Sequence, residues 1–162
     1  MVNFKEDEQL KTLNHSCAHV MAQAVKHLYP HAKFWVGPVV KEGFYYDIDL
    51  GNDVVNDEVI AAIEKEMKKV IKENPPIERY ELPREEAIAY MKEKDEPYKV
   101  ELIEDLPEDA TISFYKQGDF TDLCAGPHLM SVKPIKAFKL TASSGAYWRG
   151  NENNKMLTRI YG

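Results

Sequence analysis

The apolar residues change their spacing along the chain, and this change constrains the fold more than any other feature. From Leu10 to Leu28, the residues Leu10, Leu13, Cys17, Val20, Met21, Ala24 and Leu28 recur three and four apart. That spacing is the mark of a helix that buries one face. A helix over residues 6 to 29 is expected, with Pro30 at its end because proline cannot continue the hydrogen-bond ladder. Farther on, Phe44, Tyr46, Ile48 and Leu50 alternate with Tyr45, Asp47 and Asp49, the period of a strand with one buried face. Phe34 to Val40 reads as another extended run, and Gly37-Pro38 within it predicts a bulge or an edge. Glu42-Gly43 supplies a turn, so the two runs form a hairpin.

A second helix is expected from Asp57 to Lys72, with Val59, Ile60, Ile63, Met67, Val70 and Ile71 on its apolar face. Asn56 is its candidate N-cap, and Pro75-Pro76 blocks continuation. Ile77 to Leu82 reads as a short strand, and Pro83 opens a third helix to about Lys94. The pattern assigns no state to Tyr98–Ile103. Thr111 to Tyr115 and Phe120 to Cys124 read as strands around Gln117-Gly118, and Ile135 to Ala142 and Ala146 to Ile160 read as further sheet. Helices and strands do not alternate strictly. The expected class is therefore α+β, a mainly antiparallel sheet packed against helices, and not a doubly wound parallel sheet. A chain of 162 residues makes one compact domain, or two small subdomains sharing a core.

Bulk chemistry narrows the function. No window approaches the roughly 18 apolar residues that span a membrane. The start, Met1 to Glu8, is charged and leads into no apolar stretch of a signal peptide. A cytoplasmic location without membrane contact is expected. Two cysteines, Cys17 and Cys124, make no disulfide framework. The net charge of −6 argues against an autonomous nucleic-acid binder, because phosphate neutralisation supplies most of such affinity.

The sharpest local feature is His15-Ser16-Cys17-Ala18-His19. Histidines four apart share one helix face, and at about 100° per residue that face lies opposite the Leu10–Leu28 stripe. His15, His19 and Ala22 therefore meet either solvent or a second layer that forms a pocket. Cys17 lies on the apolar stripe and belongs to the core. Near the C-terminal third stands Cys124-Ala125-Gly126-Pro127-His128, preceded by Asp122. Asp122 and Cys124 share a strand face, and Gly126-Pro127 bends the chain so that His128 can return toward Cys124. His15, His19, Cys124 and His128 would suit tetrahedral zinc. They would equally suit a metal-free site in which imidazoles position water or a hydroxyl. His27 and His31 read as surface or loop residues. Lys65, Lys68, Lys69 and Lys72 read as a solvated helix face.

These paired strings resemble the second additional domain shared by threonyl-tRNA synthetases and alanyl-tRNA editing proteins. Flanking strings favour the threonyl branch: Val36-Gly37-Pro38-Val39-Val40, Gly43 to Leu50, Glu96-Pro97-Tyr98-Lys99, Asp122-Leu123-Cys124 and Gly145 to Gly150. The closing Lys155 to Gly162 resembles the exit toward the synthetase core. The resemblance covers Asn14 to Gly162. It implies that residues 1–162 are an editing domain, without the synthetase's catalytic and anticodon-binding domains and not itself competent for aminoacylation.

The implied reaction is hydrolysis of mischarged Ser-tRNA(Thr). Serine lacks one methyl relative to threonine, which is worth only about 1–3 kcal/mol of discrimination, so a second and smaller sieve is needed. The site implied by the resemblance comprises His15, His19, Tyr46, Lys99, Asp122, Cys124 and His128. Lys99 and His15 would position water or meet the terminal ribose. Asp122 would bind the serine α-ammonium with Tyr46 beside it, while His19, Cys124 and His128 shape the pocket. No resident cofactor is implied, and zinc at His15, His19, Cys124 and His128 is the alternative. A covalent role for Cys124 is disfavoured by the resemblance. Tyr147, Trp148 and Arg149 are candidates for stacking on the terminal adenine, with core packing the equal rival for Tyr147 and Trp148. The partners implied are the 3′ end of mischarged tRNA(Thr) and the rest of the parent synthetase.

Overall fold

In the computed structural model, the chain is described except for residues 1–2, 4–5, 52, 125–127, 130–131, 133–134, 136 and 148–155 and the side chains of Ala146 and Tyr147. The first helix, α1 (Glu8–Leu28), starts where the Asp7 side chain accepts from the Leu10 amide, satisfying one of the orphan donors of the first turn. It packs against α2 (Asp57–Glu73) and against β3 (Gly43–Asp49). Asn56 caps α2 through the Val59 amide, as expected, and Asn74 ends it in the left-handed conformation with φ 49°.

Two short strands, β1 (Lys33–Phe34) and β2 (Val39–Val40), line one edge of β3, and β8 (Met156–Tyr161) and then β7 (Ala142–Tyr147) follow on its other side. All these pairings are antiparallel. Between β1 and β2 the edge is irregular. The Trp35 amide donates to the Asp47 carbonyl, while the Asp47 amide donates to the Val36 carbonyl. Two residues thus oppose one, which is the bulge that Gly37-Pro38 led one to expect.

A second, three-stranded sheet has the order β4 (Ile77–Glu81), β5 (Ser113–Gln117), β6 (Phe120–Leu123). It carries α3 (Arg84–Glu93) and α4 (Pro97–Asp105), which holds the stretch the pattern had not assigned. Ala87, Met91, Val100, Ile103, Ile112 and Phe114 form one buried apolar cluster there. The larger cluster lies between α1, α2 and β3, with Met21, Phe34, Tyr46, Ile48, Ile63 and Met67 at its centre. Each such side chain contributes roughly 1.5–3 kcal/mol by leaving water. Among the described residues, four helices and two antiparallel sheets make the fold α+β.

One expectation fails. Ile135 to Ala142 is not sheet: among its described residues only Ala142 belongs to a strand. Ile135, Leu140 and the partly buried Phe138 instead pack as an irregular segment on the larger cluster. Alternation of apolar residues there reports burial without strand pairing.

Candidate active site

Helix α1 is buried from Ser16 to Val25 on every side, so the second face of the helix does meet a second layer. That layer is formed by β6 and the segment after it, together with β3 and α4. Tyr46 comes from β3, Lys99 from the first turn of α4, Asp122 from β6, and Cys124 and His128 from the chain just beyond. All seven residues expected from the sequence converge.

Asp122 is the hub, with 3 % of its surface exposed. Its Oδ1 lies 2.8 Å from the Lys99 ammonium and its Oδ2 3.1 Å from His19 Nε2. The Tyr46 hydroxyl donates to the same Oδ2. An ionised carboxylate offers about four acceptor positions; three are used. Burial disfavours the charged form of Asp122, but Lys99 and His19 outweigh it and hold the carboxyl well below the usual carboxylate range. The reciprocal effect falls on His19. Burial opposes its protonation, yet Asp122 lifts it from 6.5 to about 9. Burial likewise pushes the Tyr46 phenol up, so it stays a donor.

Lys99 is as enclosed as Asp122. Its three N–H groups reach Asp122 Oδ1, the Tyr46 oxygen at 3.1 Å and the Trp35 carbonyl. The bulge opposite Asp47 is what leaves the Trp35 carbonyl for this role. Gly37 is required on the same edge, because a Cβ there would stand 2.3 Å from the Tyr46 ring.

Cys124 Sγ lies 3.2 Å from His15 Nε2 and 3.2 Å from His128 Nε2. Burial alone would raise its thiol, but donation from His128, His15 and His19 carries it down from 9.0 to about 3. His128 moves the other way, to about 4, through burial and the charge of His19. A neutral His128 carries one proton, and donation to the thiolate places that proton on Nε2. Nδ1 then accepts from the Ser16 hydroxyl at 3.1 Å, while Ser16 Oγ accepts from the Leu129 amide at 2.9 Å. Ser16 thereby fixes the His128 tautomer. Sequence reasoning passed over Ser16; its place between two candidate histidines was the available signal, and its complete burial is visible only in the fold. The Trp35 carbonyl and Ser113, whose hydroxyl donates to the Cys124 carbonyl at 2.6 Å, left no such signal.

The ligand atoms of His15, His19, Cys124 and His128 lie within 4.8 Å of one another. One thiolate and three imidazoles form a donor set that fits zinc, for which S–N spans of about 3.5 Å are expected around a tetrahedron. The site opens onto a cavity of about 360 Å³. Its floor is polar, with His15, His19, Tyr46, Lys99, Asp122 and Cys124. Its walls are apolar, with Val36, Pro38, Leu102, Leu106 and Ile112. His128 supports Cys124 from behind.

Other assigned residues fall elsewhere. Cys17 is buried in the core, and burial raises its thiol to about 12. His27 joins Glu66 at 3.1 Å to Asp119 at 2.9 Å, and His31 is exposed beside Asp53. Lys65, Lys68, Lys69 and Lys72 are exposed. The Ala125–Pro127 bend, Trp148, Arg149 and the Tyr147 side chain lie outside the described residues.

Comparison with known proteins bears on this geometry. Residues 112–161 match the family described as threonyl and alanyl tRNA synthetase second additional domain. The chain is also 60 % identical over all 162 residues to threonine--tRNA ligase of Clostridium acetobutylicum and of Clostridium tetani, and 61 % identical over 158 residues to that of Clostridium botulinum (strain Okra / Type B1). It spans about a quarter of the length of these relatives. The matched segment contains β5 and β6, with Asp122, Cys124 and His128, and ends in β8. Among the described residues, no helix is long and apolar enough to cross a membrane.

Proposed function

We propose that this chain is the proofreading part of a threonyl-tRNA synthetase and hydrolyses the ester of mischarged Ser-tRNA(Thr). The observation that carries the reading is the cavity floor. A buried ionised carboxylate stands among a lysine, a tyrosine and a raised histidine, beside a thiolate held by imidazoles. Hydrolysis of an aminoacyl ester needs a positioned water, support for the developing oxyanion, and a proton for the departing ribose oxygen. Donors are concentrated here: the Lys99 ammonium, the His19 imidazolium and the His15 ring. Asp122 retains one acceptor position, which suits the α-ammonium of serine next to Tyr46. His15 is assigned to the water or the terminal ribose; Lys99, whose three N–H groups are already bonded, is assigned to orienting Asp122 and Tyr46 beside them, and Cys124 and His128 shape the pocket. Discrimination would be steric, the walls leaving room for serine and not for the extra methyl of threonine.

The metal-free site is the first reading, with Cys124 ionised but not a covalent nucleophile. A second reading rests on the four-donor cluster: zinc held by His15, His19, Cys124 and His128 would supply Lewis-acid polarisation of the ester carbonyl. The partners proposed are the 3′ end of mischarged tRNA(Thr) and the remainder of a parent synthetase in the cytoplasm. Aminoacylation is assigned to that remainder. Deacylation of Ser-tRNA(Thr) by wild type and Asp122→Ala, each with and without chelator, tests the proposal. Hydrolysis lost in Asp122→Ala and unaffected by chelator supports the metal-free site. Loss on chelation moves the assignment to zinc, and equal rates for variant and wild type contradict it.

A further inference from the structure

Lys99 can organise Asp122 only if α4 is held in place against the bulged edge strand, and one side chain bridges the two directly. Glu96 immediately precedes α4. Its amide donates to the Met91 carbonyl of α3, and its carbonyl accepts from the Lys99 and Val100 amides. Its carboxylate then reaches across to another element. Glu96 Oε1 accepts from the Phe34 amide at 3.1 Å in a buried bond. That amide belongs to β1 one residue before Trp35, and the Trp35 carbonyl is an acceptor for the Lys99 ammonium. In antiparallel pairing successive amides face opposite edges. The Trp35 amide turns inward to Asp47, so the Phe34 amide turns outward and would be a buried orphan without Glu96. Tyr98 adds a second tie, donating to Asp49 Oδ2 at 2.7 Å.

We propose that Glu96 is a positioning residue: by bonding the Phe34 amide it sets the separation of α4 from β1, and so places the Lys99 ammonium between the Trp35 carbonyl, Tyr46 and Asp122. The role is geometric. Burial raises the Glu96 carboxyl to about 7, and both its ionised and its neutral form offer the accepting oxygen. A misplacement of about 1 Å in such a constellation can cost on the order of 100-fold in rate.

This inference rests on the hydrolase reading for its kinetic test but has a spectroscopic test independent of it. Two mild variants separate geometry from charge. Glu96→Gln keeps the reach and the accepting oxygen. Glu96→Asp keeps the charge but is one methylene too short. The Lys99 ammonium, enclosed and fully bonded, should give a slowly exchanging NMR signal in wild type that is absent from Lys99→Met. The signal should survive in Glu96→Gln and vanish in Glu96→Asp. In parallel, kcat for Ser-tRNA(Thr) hydrolysis should fall at least about tenfold in Glu96→Asp, with KM little changed. Glu96→Asp should add no loss when combined with Lys99→Met. A wild-type signal and rate in Glu96→Asp, or equal losses in both variants, would overturn the proposal. Absence of hydrolysis in wild type with the signal pattern intact would sink the hydrolase reading and leave the positioning role standing.

Discussion

At the scale of single residues, the site is an arrangement of opposed charges whose pH behaviour can be worked out. His19 is raised from 6.5 to about 9. Its stabilising contribution is therefore complete below about pH 6.5 and is lost as pH rises through about 9. Cys124 is depressed from 9.0 to about 3, so its contribution is present above about pH 9 and is lost as pH falls toward 3. Between pH 6.5 and 9 the two slopes have opposite signs. Thermal unfolding of wild type should change little across that window. Cys124→Ala should lose Tm steadily from pH 6.5 to 9, and a flat profile in that variant would disprove the linkage. Gly37 offers a steric counterpart. Gly37→Ala forces a methyl against the Tyr46 ring and should cost about 1–3 kcal/mol as overpacking, read by urea denaturation. It should also displace the Tyr46 hydroxyl from Asp122 and lower hydrolysis.

At the scale of elements, β3 ties the two halves of the site's support together, and its hidden face is as consequential as its core face. Asp47 is fully buried and pairs with Arg159 of β8 at 2.7 and 3.0 Å. Removing one partner leaves an uncompensated buried charge, which costs about 3–5 kcal/mol. Arg159→Ala should show that loss in denaturant unfolding, and Asp47→Asn in the same background should recover part of it. This pair also shows what a sequence reveals. The alternation of Phe44, Tyr46, Ile48 and Leu50 made β3 legible, and the helical spacing of α1 and α2, with Asn56 as a cap, did the same for them. The burial of Asp47 and Asp49 did not follow from that alternation, because a carboxylate is hidden only when a distant residue supplies its partner. Arg159 and Tyr98 do so, at 112 and 49 residues' separation. The seven residues that converge were legible as candidates because His-x3-His and Cys-x3-His are dense in chemistry and fall among strings that resemble a known family. Ser16, Glu96 and the Trp35 carbonyl act through hydrogen bonds that only the folded chain brings together. The strand expected over Ile135 to Ala142 failed for a related reason, since its apolar residues pack on α1 and α2 without pairing.

At the scale of the whole molecule, the net charge of −6 and the mutually paired charges of the cavity floor both give a polyanion little to hold. A polyanion gains affinity by counterion release from many basic contacts, and the cations of this site are buried and already paired. Affinity for intact tRNA should therefore be weak, with a Kd above about 1 μM at physiological salt. Tethering within a longer synthetase would compensate by raising the effective concentration of the acceptor end. Fluorescence anisotropy with labelled tRNA(Thr) checks this, and a submicromolar Kd would contradict it. An editing site must discriminate serine from threonine. The most direct test is the single-turnover rate of deacylation of Ser-tRNA(Thr) against Thr-tRNA(Thr), at saturating concentrations of this chain. Serine should be released at least about tenfold faster than threonine, as one methyl allows. Equal rates on the two substrates would contradict the proofreading role.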